Sequence, residues 1–293
     1  MRNLADTGAA VGAALGERHF DFSDTDFARV RTMIHRRAGI ALGTHKREMV
    51  YSRLARRLRA RDLSGFGPYL AELEANDRAP EWEMFVNALT TNLTAFFREA
   101  HHFPMLADYA RRLNRPLQVW CNAASTGEEP YSIAMTLIDA LGARLGDSRV
   151  LATDIDTHVL QKARAALYPF ERVEKVAPDL LRRHFLKGRG KMAGMVRVRP
   201  EVVARVRFEA LNLLDGHWPL REPFDAIFCR NVMIYFDKPT QARILQRMAP
   251  LLRPGGLLFA GHSENFTYLT QAYRLKGQTV YERVSGSDRS AGP

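Results

Sequence analysis

Two segments of the chain have small and acidic residues directly after short apolar runs, which is where ligand sites form in α/β proteins. After the run 117–121, residues 122–130 (NAASTGEEP) combine small side chains with Glu128 and Glu129 and contain no basic residue. Small residues at the start of a helix let a ligand approach the backbone, but two acids there repel a phosphate. This loop therefore suits a cationic ligand that carries hydroxyl or amino groups.

The second segment ends at Asp154, after the apolar run 149–153, and Asp156 follows on the same side of the alternation. A carboxylate at the end of the second strand typically binds ribose hydroxyls in dinucleotide sites. Asp154 can instead cap the next helix, although Asp156 can also serve that purpose. Together with the phosphate-repelling loop, this carboxylate predicts a nucleoside ligand without phosphate, which means S-adenosylmethionine.

Other kinds of chemistry lack the residues that they need. Residues 188–191 (GRGK) look like part of a P-loop, but Met192 replaces the required Ser or Thr and Phe185 replaces the first glycine. No Cys/His spacing matches a zinc site, and His101 and His102 are adjacent rather than four residues apart. We therefore expect no metal.

The elements around these residues must position them. Four short apolar runs, at residues 117–121, 149–153, 224–229 and 257–260, alternate with helical patterns. Continuous apolar strands between helices indicate a parallel sheet that is covered on both faces. The predicted fold class is therefore α/β and Rossmann-like.

One connection is longer than this fold requires. Asp154 and Asn212 are 58 positions apart, whereas a strand–helix–strand step needs only about 30 residues. The excess lies at about 185–208, where glycines separate alternating runs at 196–199 and 206–208. Alternation between glycine turns predicts a small antiparallel β insert.

The N-terminal part has a different character. Residues 20–90 have helical periodicity and turn signals without a convincing strand, which predicts a small all-α domain, and residues 1–19 and 285–293 are predicted to be flexible tails. Hydrophobic residues make up 46% and charged residues 26%, which excludes wholesale disorder. With two cysteines, no bilayer-length apolar run and no convincing signal peptide, we expect a soluble cytoplasmic protein.

Nearly all of the net charge lies in one segment. Residues 29–61 contain eleven basic residues and one acid, a net +10 out of the chain's +11. Arg53, Arg56 and Arg59 fall on the helix face opposite the apolar stripe that includes Leu54. Because acids are almost absent from the segment, pairing along the helix does not explain these arginines, and we predict a docking face for an acidic partner. The charge alone leaves nucleic acid, an anionic membrane, an acidic protein and a merely solvated face open.

Several blocks of the sequence resemble those of the chemotaxis receptor methyltransferases (CheR-like), which are S-adenosylmethionine-dependent protein-glutamate O-methyltransferases. The blocks are residues 91–99 (TNLTAFFRE), 124–132 (ASTGEEPYS), 153–156 (TDID), 228–236 (FCRNVMIYF), 252–256 (LRPGG) and 261–264 (GHSE). The resemblance covers roughly residues 20–284. It implies a Rossmann-like class I methyltransferase domain over residues 91–284 that includes the β insert, preceded by the all-α domain and linker of residues 20–90.

The resemblance also implies cofactor-binding roles for the matching positions. Glu129 would hold the amino-acid part of S-adenosylmethionine, and Asp154 would hold its ribose. Asn212 and Leu213 would lie against the adenine. The remaining positions implied by the resemblance are Asn92, Thr94, Arg98, Arg230 and Asn231, of which the last two would close the pocket.

We expect Arg98 and Tyr235 to act in catalysis. A surface glutamate, with a pKa of about 4.3, is already ionised at pH 7, so its methylation needs alignment and exclusion of water rather than a general base. Arg98 would orient the acceptor carboxylate, and Tyr235 would donate a hydrogen bond and shield the methyl group. The alternatives are an interdomain salt bridge for Arg98 and a packed aromatic ring for Tyr235.

The implied partner is the cytoplasmic domain of chemotaxis receptors, docked on the basic helix. A C-terminal receptor tail is a second partner, added as a strand to the β insert near Gly188, Gly190 and Arg197, with Lys191 and Arg199 available for its acidic groups. Alternatively, the insert only supports the active site. We expect a monomer that is recruited to membrane receptor clusters, with no membrane insertion and no nucleic acid bound.

Two other functions stay open from the residues alone. A nucleic-acid methyltransferase agrees with the isoelectric point of about 10.0, but amino-directed enzymes of that kind carry Asn/Asp-Pro-Pro-aromatic where this chain has RNVM at 230–233. The other is a non-catalytic adaptor that senses S-adenosylmethionine and docks through the basic helix.

Overall fold

A computed structural model describes residues 19–220 and 223–284 of the chain. The predicted tails at 1–19 and 285–293 lie outside the described residues, apart from His19. In the described part, a helical domain comes first and a mixed α/β domain follows. No helix there is both long enough and apolar enough to cross a membrane.

The helical domain is built, over the described residues, from four α-helices. They are α1 (Asp24–Ala38), α2 (Arg47–Ala60), α3 (Phe66–Ala75) and α4 (Glu81–Leu89). Ser23 and Asp26 form a capping box at the start of α1, and Gly39 ends that helix with a φ of 70°. Apolar side chains of all four helices, among them Leu54 and Tyr69, share one core. The predicted all-α domain is therefore confirmed.

The α/β domain contains the remaining helices and all strands of the described residues. The helices are α5 (His102–Leu113), α6 (Glu128–Leu141), α7 (Thr157–Ala165), α8 (Pro178–His184), α9 (Pro200–Val203) and α10 (Lys238–Met248). The strands are β1 (Gln118–Cys121), β2 (Arg149–Asp154), β3 (Leu167–Pro169), β4 (Phe185–Lys187), β5 (Met195–Val198), β6 (Val206–Ala210), β7 (Phe224–Cys229), β8 (Leu252–Ala260), β9 (Tyr273–Gly277) and β10 (Val280–Arg283).

Seven of the described strands form the main sheet, in the order β6-β2-β1-β7-β8-β10-β9. The pairs from β6 to β8 are parallel, and β10 is antiparallel to both of its neighbours. Every residue of β7 is buried, because helices cover the sheet on both faces. The four apolar runs found in the sequence lie in β1, β2, β7 and β8, which confirms the α/β prediction.

The β insert exists, but its predicted limits of about 185–208 are wrong. A separate antiparallel sheet has the order β3-β5-β4, so the insert extends from Leu167 to Val198. The run 206–208 lies in β6, which pairs in parallel with β2 at the edge of the main sheet. Apolar and polar residues alternate in a partly exposed edge strand as they do in a hairpin strand. The alternation at 206–208 therefore does not distinguish an edge strand of the main sheet from a strand of the insert.

The scarcity of acids within residues 29–61 does not leave all of its arginines unpaired, because acids outside the segment reach them. Five arginines of this segment pair with acids that lie outside it. Four of these acids follow the segment in the chain, and one precedes it. These pairs are Arg57–Glu81 at 2.7 Å, Arg61–Glu72 at 3.0 Å, Arg29–Glu74 at 2.7 Å, Arg36–Asp77 at 3.1 Å and Arg47–Asp24 at 2.9 Å. Much of the positive charge therefore joins the helices of the domain to one another.

Candidate active site

A cavity of about 450 Å³ lies at the carboxyl ends of the parallel strands, between the helical domain and the main sheet. Its walls come from the segment after α1, the linker at 89–94, and the loops that follow β1, β2, β6 and β7. Every residue that the sequence implicated in cofactor binding or catalysis lines it: Asn92, Thr94, Arg98, Glu129, Asp154, Asn212, Leu213, Arg230, Asn231 and Tyr235. Its size suits a nucleoside-sized ligand.

Asp154 lies at the end of β2 and binds two backbone groups. Its Oδ2 accepts a hydrogen bond from Ser125 N at 2.8 Å, and its Oδ1 accepts one from Asp156 N at 2.9 Å. Burial raises the pKa of Asp154 to about 6, and these backbone bonds only partly oppose the rise. The helix-capping role belongs to Asp156, whose side chain accepts from His158 N and Val159 N at the start of α7.

Asp156 has a second function that the sequence reasoning missed. Its Oδ2 accepts hydrogen bonds from the Thr90 hydroxyl and from Asn92 Nδ2, both at 2.8 Å. The Ser125 hydroxyl also donates to the carbonyl of Asn92 at 3.1 Å. The interdomain linker is therefore fixed to the α/β domain, and the Asn92 amide is used to hold it. The sequence signal was Asp156 itself, which was considered only as a helix cap.

A buried chain of charged groups lies behind the cavity. Arg230 pairs with Glu129 at 2.7 Å and with Glu99 at 3.3 Å, while the Cys121 thiol donates to Glu129 at 3.3 Å. Burial raises the pKa of Glu129 although Arg230 opposes the rise, whereas for Glu99 the nearby Arg230 and His262 outweigh burial and lower the pKa. When both acids are ionised, two carboxylates meet one guanidinium. Lys46 and Arg98 also line the cavity, so its charged groups are of both signs, and Glu129 is a local carboxylate for a positively charged group of a ligand.

Arg98 and Tyr235 both line the cavity. The Arg98 guanidinium donates to the carbonyl of Leu93 at 2.9 Å, and the Arg98 carbonyl accepts from Arg230 at 2.6 Å. Tyr235 is half-buried in the segment after β7, and its carbonyl accepts from Ala41 N of the helical domain at 2.9 Å. Each residue therefore also contacts a neighbouring segment, Arg98 through its guanidinium and its carbonyl and Tyr235 through its carbonyl.

The Asn212 side chain forms hydrogen bonds within the protein, and its expected contact with the adenine stays a prediction. Its Nδ2 donates to the carbonyl of Arg37 at 3.0 Å, and its Oδ1 accepts from Leu214 N at 3.0 Å. Its side chain thus joins the two domains at the edge of the cavity. Leu213 is buried beside it, and both residues line the cavity wall.

Similarity to known proteins identifies the family. The family described as “CheR methyltransferase, all-alpha domain” matches residues 25–90, and the one described as “CheR methyltransferase, SAM binding domain” matches residues 92–281. The chain belongs to the CheR methyltransferase family. The resemblance seen in the sequence is therefore confirmed, and the α/β side of the cavity lies within the residues that match the S-adenosylmethionine-binding domain.

Named relatives of this CheR chain agree with the family. It is 59% identical over 284 residues to the chemotaxis protein methyltransferase of Klebsiella aerogenes, which covers 96% of this chain and 98% of that protein. It is 58% identical over 259 residues to the chemotaxis protein methyltransferase of Escherichia coli, covering 88% of this chain and 91% of that protein. Chemotaxis protein methyltransferase 2 of Pseudomonas aeruginosa is 54% identical over 270 residues, covering 91% and 95%.

The three arginines that are expected to bind an acidic partner differ in their surroundings. Arg56 and Arg59 are exposed on α2, and the Arg59 guanidinium lies 5.8 Å from the centre of the Phe20 ring. Arg53 is only half-exposed, because its guanidinium donates to the carbonyls of Ala88 and Thr90 at the end of α4. Arg53 is therefore less accessible than Arg56 and Arg59, and its part in docking stays a prediction.

The β insert positions its predicted residues at a turn and on its central strand. Gly188 packs against the turn so closely that a Cβ there would collide with the Met192 carbonyl, and Gly190 has a φ of 56°. Arg197 is exposed on β5, and Lys191 is exposed beside it. Arg199 follows β5, is half-buried, and donates to the carbonyl of Arg182 at 3.2 Å.

The insert also contacts the active site directly. The Tyr168 hydroxyl donates to the carbonyl of Thr126 at 2.7 Å, and Arg172 forms an ion pair with the buried Glu128 and donates to the carbonyl of Thr94 at 3.0 Å. These contacts agree with the alternative that the insert supports the loop after β1.

Among the described residues, one group of side chains has metal-ligand types close together. Potential ligand atoms of Glu99, His101 and His102 lie within 4.8 Å of one another. Burial and the charge of Arg230 lower the pKa of His102 to about 4, so its ring is neutral at pH 7. Arg230 also pairs with Glu99, so a metal ion in this group would meet a fixed positive charge.

Proposed function

We propose that this chain transfers a methyl group from S-adenosylmethionine to glutamate side chains of chemotaxis receptors, forming glutamate methyl esters. The observation that carries the proposal is the cavity of a CheR methyltransferase, which is lined by the buried carboxylates of Glu129 and Asp154. These groups fit a ligand that has an ammonium group, a sulfonium centre and ribose hydroxyls.

The roles of the cavity residues follow from their chemistry. Glu129 would bind the ammonium group and Asp154 the ribose hydroxyls, while Leu213 supplies apolar surface for the adenine. Arg230 and Asn231 would close the cavity. The roles of Asn92 and Asn212 are proposed as indirect, because their side-chain amides hold the linker and the domain contact. Thr94 would contribute from the same linker.

The reaction needs no general base, since the acceptor glutamate is ionised at neutral pH with an unperturbed pKa of about 4.3. The cofactor would supply a methyl group bound to a positively charged sulfur. The remainder of the cofactor would leave as S-adenosylhomocysteine. Arg98 would orient the incoming carboxylate, and Tyr235 would exclude water and donate a hydrogen bond. Too strong a bond from Arg98 would weaken the nucleophile, so its role is alignment.

We also propose the partners. Arg56 and Arg59 would meet an acidic face of the receptor's cytoplasmic helices, and the outer edge of the β insert, near Gly188 and Arg197, would bind a receptor tail as an added strand. The chain would act as a monomer in the cytoplasm at receptor clusters, without nucleic acid or membrane insertion. Titration with an isolated tail peptide tests the second contact, and absence of binding at high micromolar peptide would leave the insert with only its supporting role.

The reaction would also require no metal. The Glu99, His101 and His102 group is the candidate among described residues, and Arg230 opposes a cation there. Activity after dialysis against a chelator should equal the untreated activity, and a loss that zinc restores would contradict this part of the proposal.

The decisive experiment is methyl transfer to receptor cytoplasmic domains with a labelled methyl donor. A glutamate ester should release its label as methanol in mild alkali. Label that survives alkali, as on lysine or a ring nitrogen, would reject the glutamate assignment, and label found in nucleic acid instead of receptor would reject the receptor assignment.

A further inference from the structure

The loop after β8 contains an acidic residue, Glu264, whose side chain binds the loop after β7. Residues 261–264 form a turn in which Glu264 N donates to the Gly261 carbonyl at 2.9 Å. Because β7 and β8 are parallel neighbours, both loops leave the sheet at the same edge. Glu264 is 4% exposed, so this contact is inside the protein.

The Glu264 carboxylate binds four backbone N–H groups. Its Oε2 accepts from Asn231 N at 2.9 Å and from Gly261 N at 2.6 Å. Its Oε1 accepts from Val232 N at 3.0 Å and from Met233 N at 2.8 Å. No basic side chain among the described residues forms an ion pair with it, so converging backbone dipoles stabilise the buried charge.

The loop that Glu264 binds, residues 231–233, forms part of the cavity wall. Asn231 and Val232 line the cavity directly, and Tyr235 does so just beyond them. Asn231 has a φ of 58°, a left-handed conformation that asparagine adopts more readily than most residues with a side chain and that its hydrogen-bond partners help to maintain. Gly261 leaves the necessary room, since a Cβ there would collide with the Asn231 amide and lie 2.9 Å from Glu264 Oε2.

We propose that Glu264 is a positioning residue for the methyltransferase reaction: its carboxylate holds residues 231–233 in the conformation that cofactor binding and methyl transfer require. The proposal rests on the function proposed above, because it assumes that this cavity binds S-adenosylmethionine. Glu264 does not line the cavity, so it acts through Asn231 and through the path of the chain to Tyr235.

A purely structural role is the alternative, and the chain offers a matched control for it. Asp225 is a fully buried carboxylate at the opposite end of β7. It accepts from Gln118 N at 2.8 Å and pairs with Arg115 at 2.6 Å and Arg253 at 3.2 Å. Asp225→Asn should lower stability without reaching the cavity.

The test compares Glu264→Gln with Asp225→Asn in the full chain. Glutamine keeps the shape but turns an N–H₂ group toward backbone donors, which breaks up to two of the four bonds. For Glu264→Gln we expect a tenfold or larger rise in the dissociation constant of S-adenosylhomocysteine by calorimetry and a reduced kcat, with receptor KM within twofold of the parent chain. For Asp225→Asn we expect a lower unfolding temperature and a dissociation constant within twofold.

A Glu264→Gln chain that folds and keeps both the dissociation constant and kcat within twofold would overturn the proposal. A measurement on the unaltered chain decides the case where the variant does not fold. Backbone amides 231–233 should exchange their hydrogens slowly even without ligand, because the carboxylate already binds them. Exchange as fast as in exposed loops would also overturn the proposal. Failure of the unaltered chain to bind S-adenosylhomocysteine would count against the proposed function, and the exchange rates would still test Glu264.

Discussion

At the scale of single residues, burial sets the pH range over which Asp154 can bind. Its side chain is almost fully buried, and burial raises its pKa to about 6. The ionised form therefore predominates only above pH 6, and this is the form that accepts hydrogen bonds from ribose hydroxyls most strongly. A ligand that prefers ionised Asp154 lowers its pKa on binding, so affinity must fall as the pH decreases through about 6.

We predict this pH dependence for S-adenosylhomocysteine binding. Between pH 7.5 and pH 5 the dissociation constant should rise, approaching tenfold per unit below the pKa of the free chain. Asp154→Asn should weaken binding at pH 7.5 by about 1.5–3 kcal/mol, roughly tenfold to a hundredfold, because a charged hydrogen-bond acceptor is lost. The variant should also lose the dependence on pH near 6.

Calorimetric titrations of both chains at five pH values measure this, with circular dichroism as the control for folding. A variant that binds as tightly as the parent chain at pH 7.5 would rule out the ribose contact. An identical pH profile in the two chains would assign the titration to another group, of which buried Glu129 is the first candidate.

The sequence was informative for residues whose function depends on their own position in an element. Asp154 ends a strand and Glu129 lies in the first turn of a helix, so both positions are visible in the sequence pattern. The second role of Asp156 and the contacts of Glu264 were missed because they depend on partners 64 and 33 residues away. Such pairings are set by the packing of the sheet loops, which a single sequence does not display.

At the scale of elements, helix α2 divides its arginines between two tasks. Arg53 binds the carbonyls that end α4 and begin the linker, whereas Arg56 and Arg59 lie on the exposed surface. Burial lowers the pKa of Arg53, and neighbouring Arg56 lowers it further, as expected for a guanidinium held against the protein. The helical periodicity placed all three on one face, but it did not reveal that α4 covers part of that face.

We therefore predict different effects for these arginines. Arg56→Glu with Arg59→Glu should raise the receptor KM and reduce its salt dependence, while cofactor affinity stays unchanged. Each exposed pair contributes only about 0.2–1 kcal/mol, so the double change is needed for a clear effect. Arg53→Met should instead destabilise the linker and weaken S-adenosylhomocysteine binding.

The matched control is Arg111→Glu with Arg112→Glu, which makes the same charge change on the exposed surface of α5. Steady-state methylation at two salt concentrations separates the effects. If the α2 and α5 double variants have equal receptor KM values, then α2 is only a solvated surface. If Arg53→Met raises only the receptor KM, its hydrogen bonds to the linker have no role in the cavity.

At the scale of the whole molecule, the cavity depends on how the two domains meet. Ala41 N donates to the Tyr235 carbonyl at 2.9 Å, and Asn212 donates to the Arg37 carbonyl at 3.0 Å. Gly39 lies where a Cβ would come within 2.8–2.9 Å of Leu214 and Phe236 of the α/β domain. The sequence predicted both domains, but their close contact depends on pairings between residues far apart in the chain and on a missing side chain, which leave no pattern in composition or periodicity.

Asp156 binds the linker between the domains, and we predict that without it the two domains no longer unfold in a single transition. Asp156→Ala removes the cap of α7, which costs about 0.5–2 kcal/mol, and also frees the linker at Thr90 and Asn92. Because the linker is part of the cavity wall, affinity for S-adenosylhomocysteine should fall about tenfold. Calorimetric unfolding, expected as one transition in the parent chain, should broaden or split into two.

Ser23→Ala is the control, because it removes the cap of α1 at a similar cost without touching the linker. It should lower the unfolding temperature while leaving ligand affinity and the single transition intact. In the parent chain, ligand at a hundred times its dissociation constant should add about 2.7 kcal/mol to the free energy of unfolding. If Asp156→Ala behaves like Ser23→Ala in every measurement, Asp156 is only a helix cap, and the linker holds the cavity together without it.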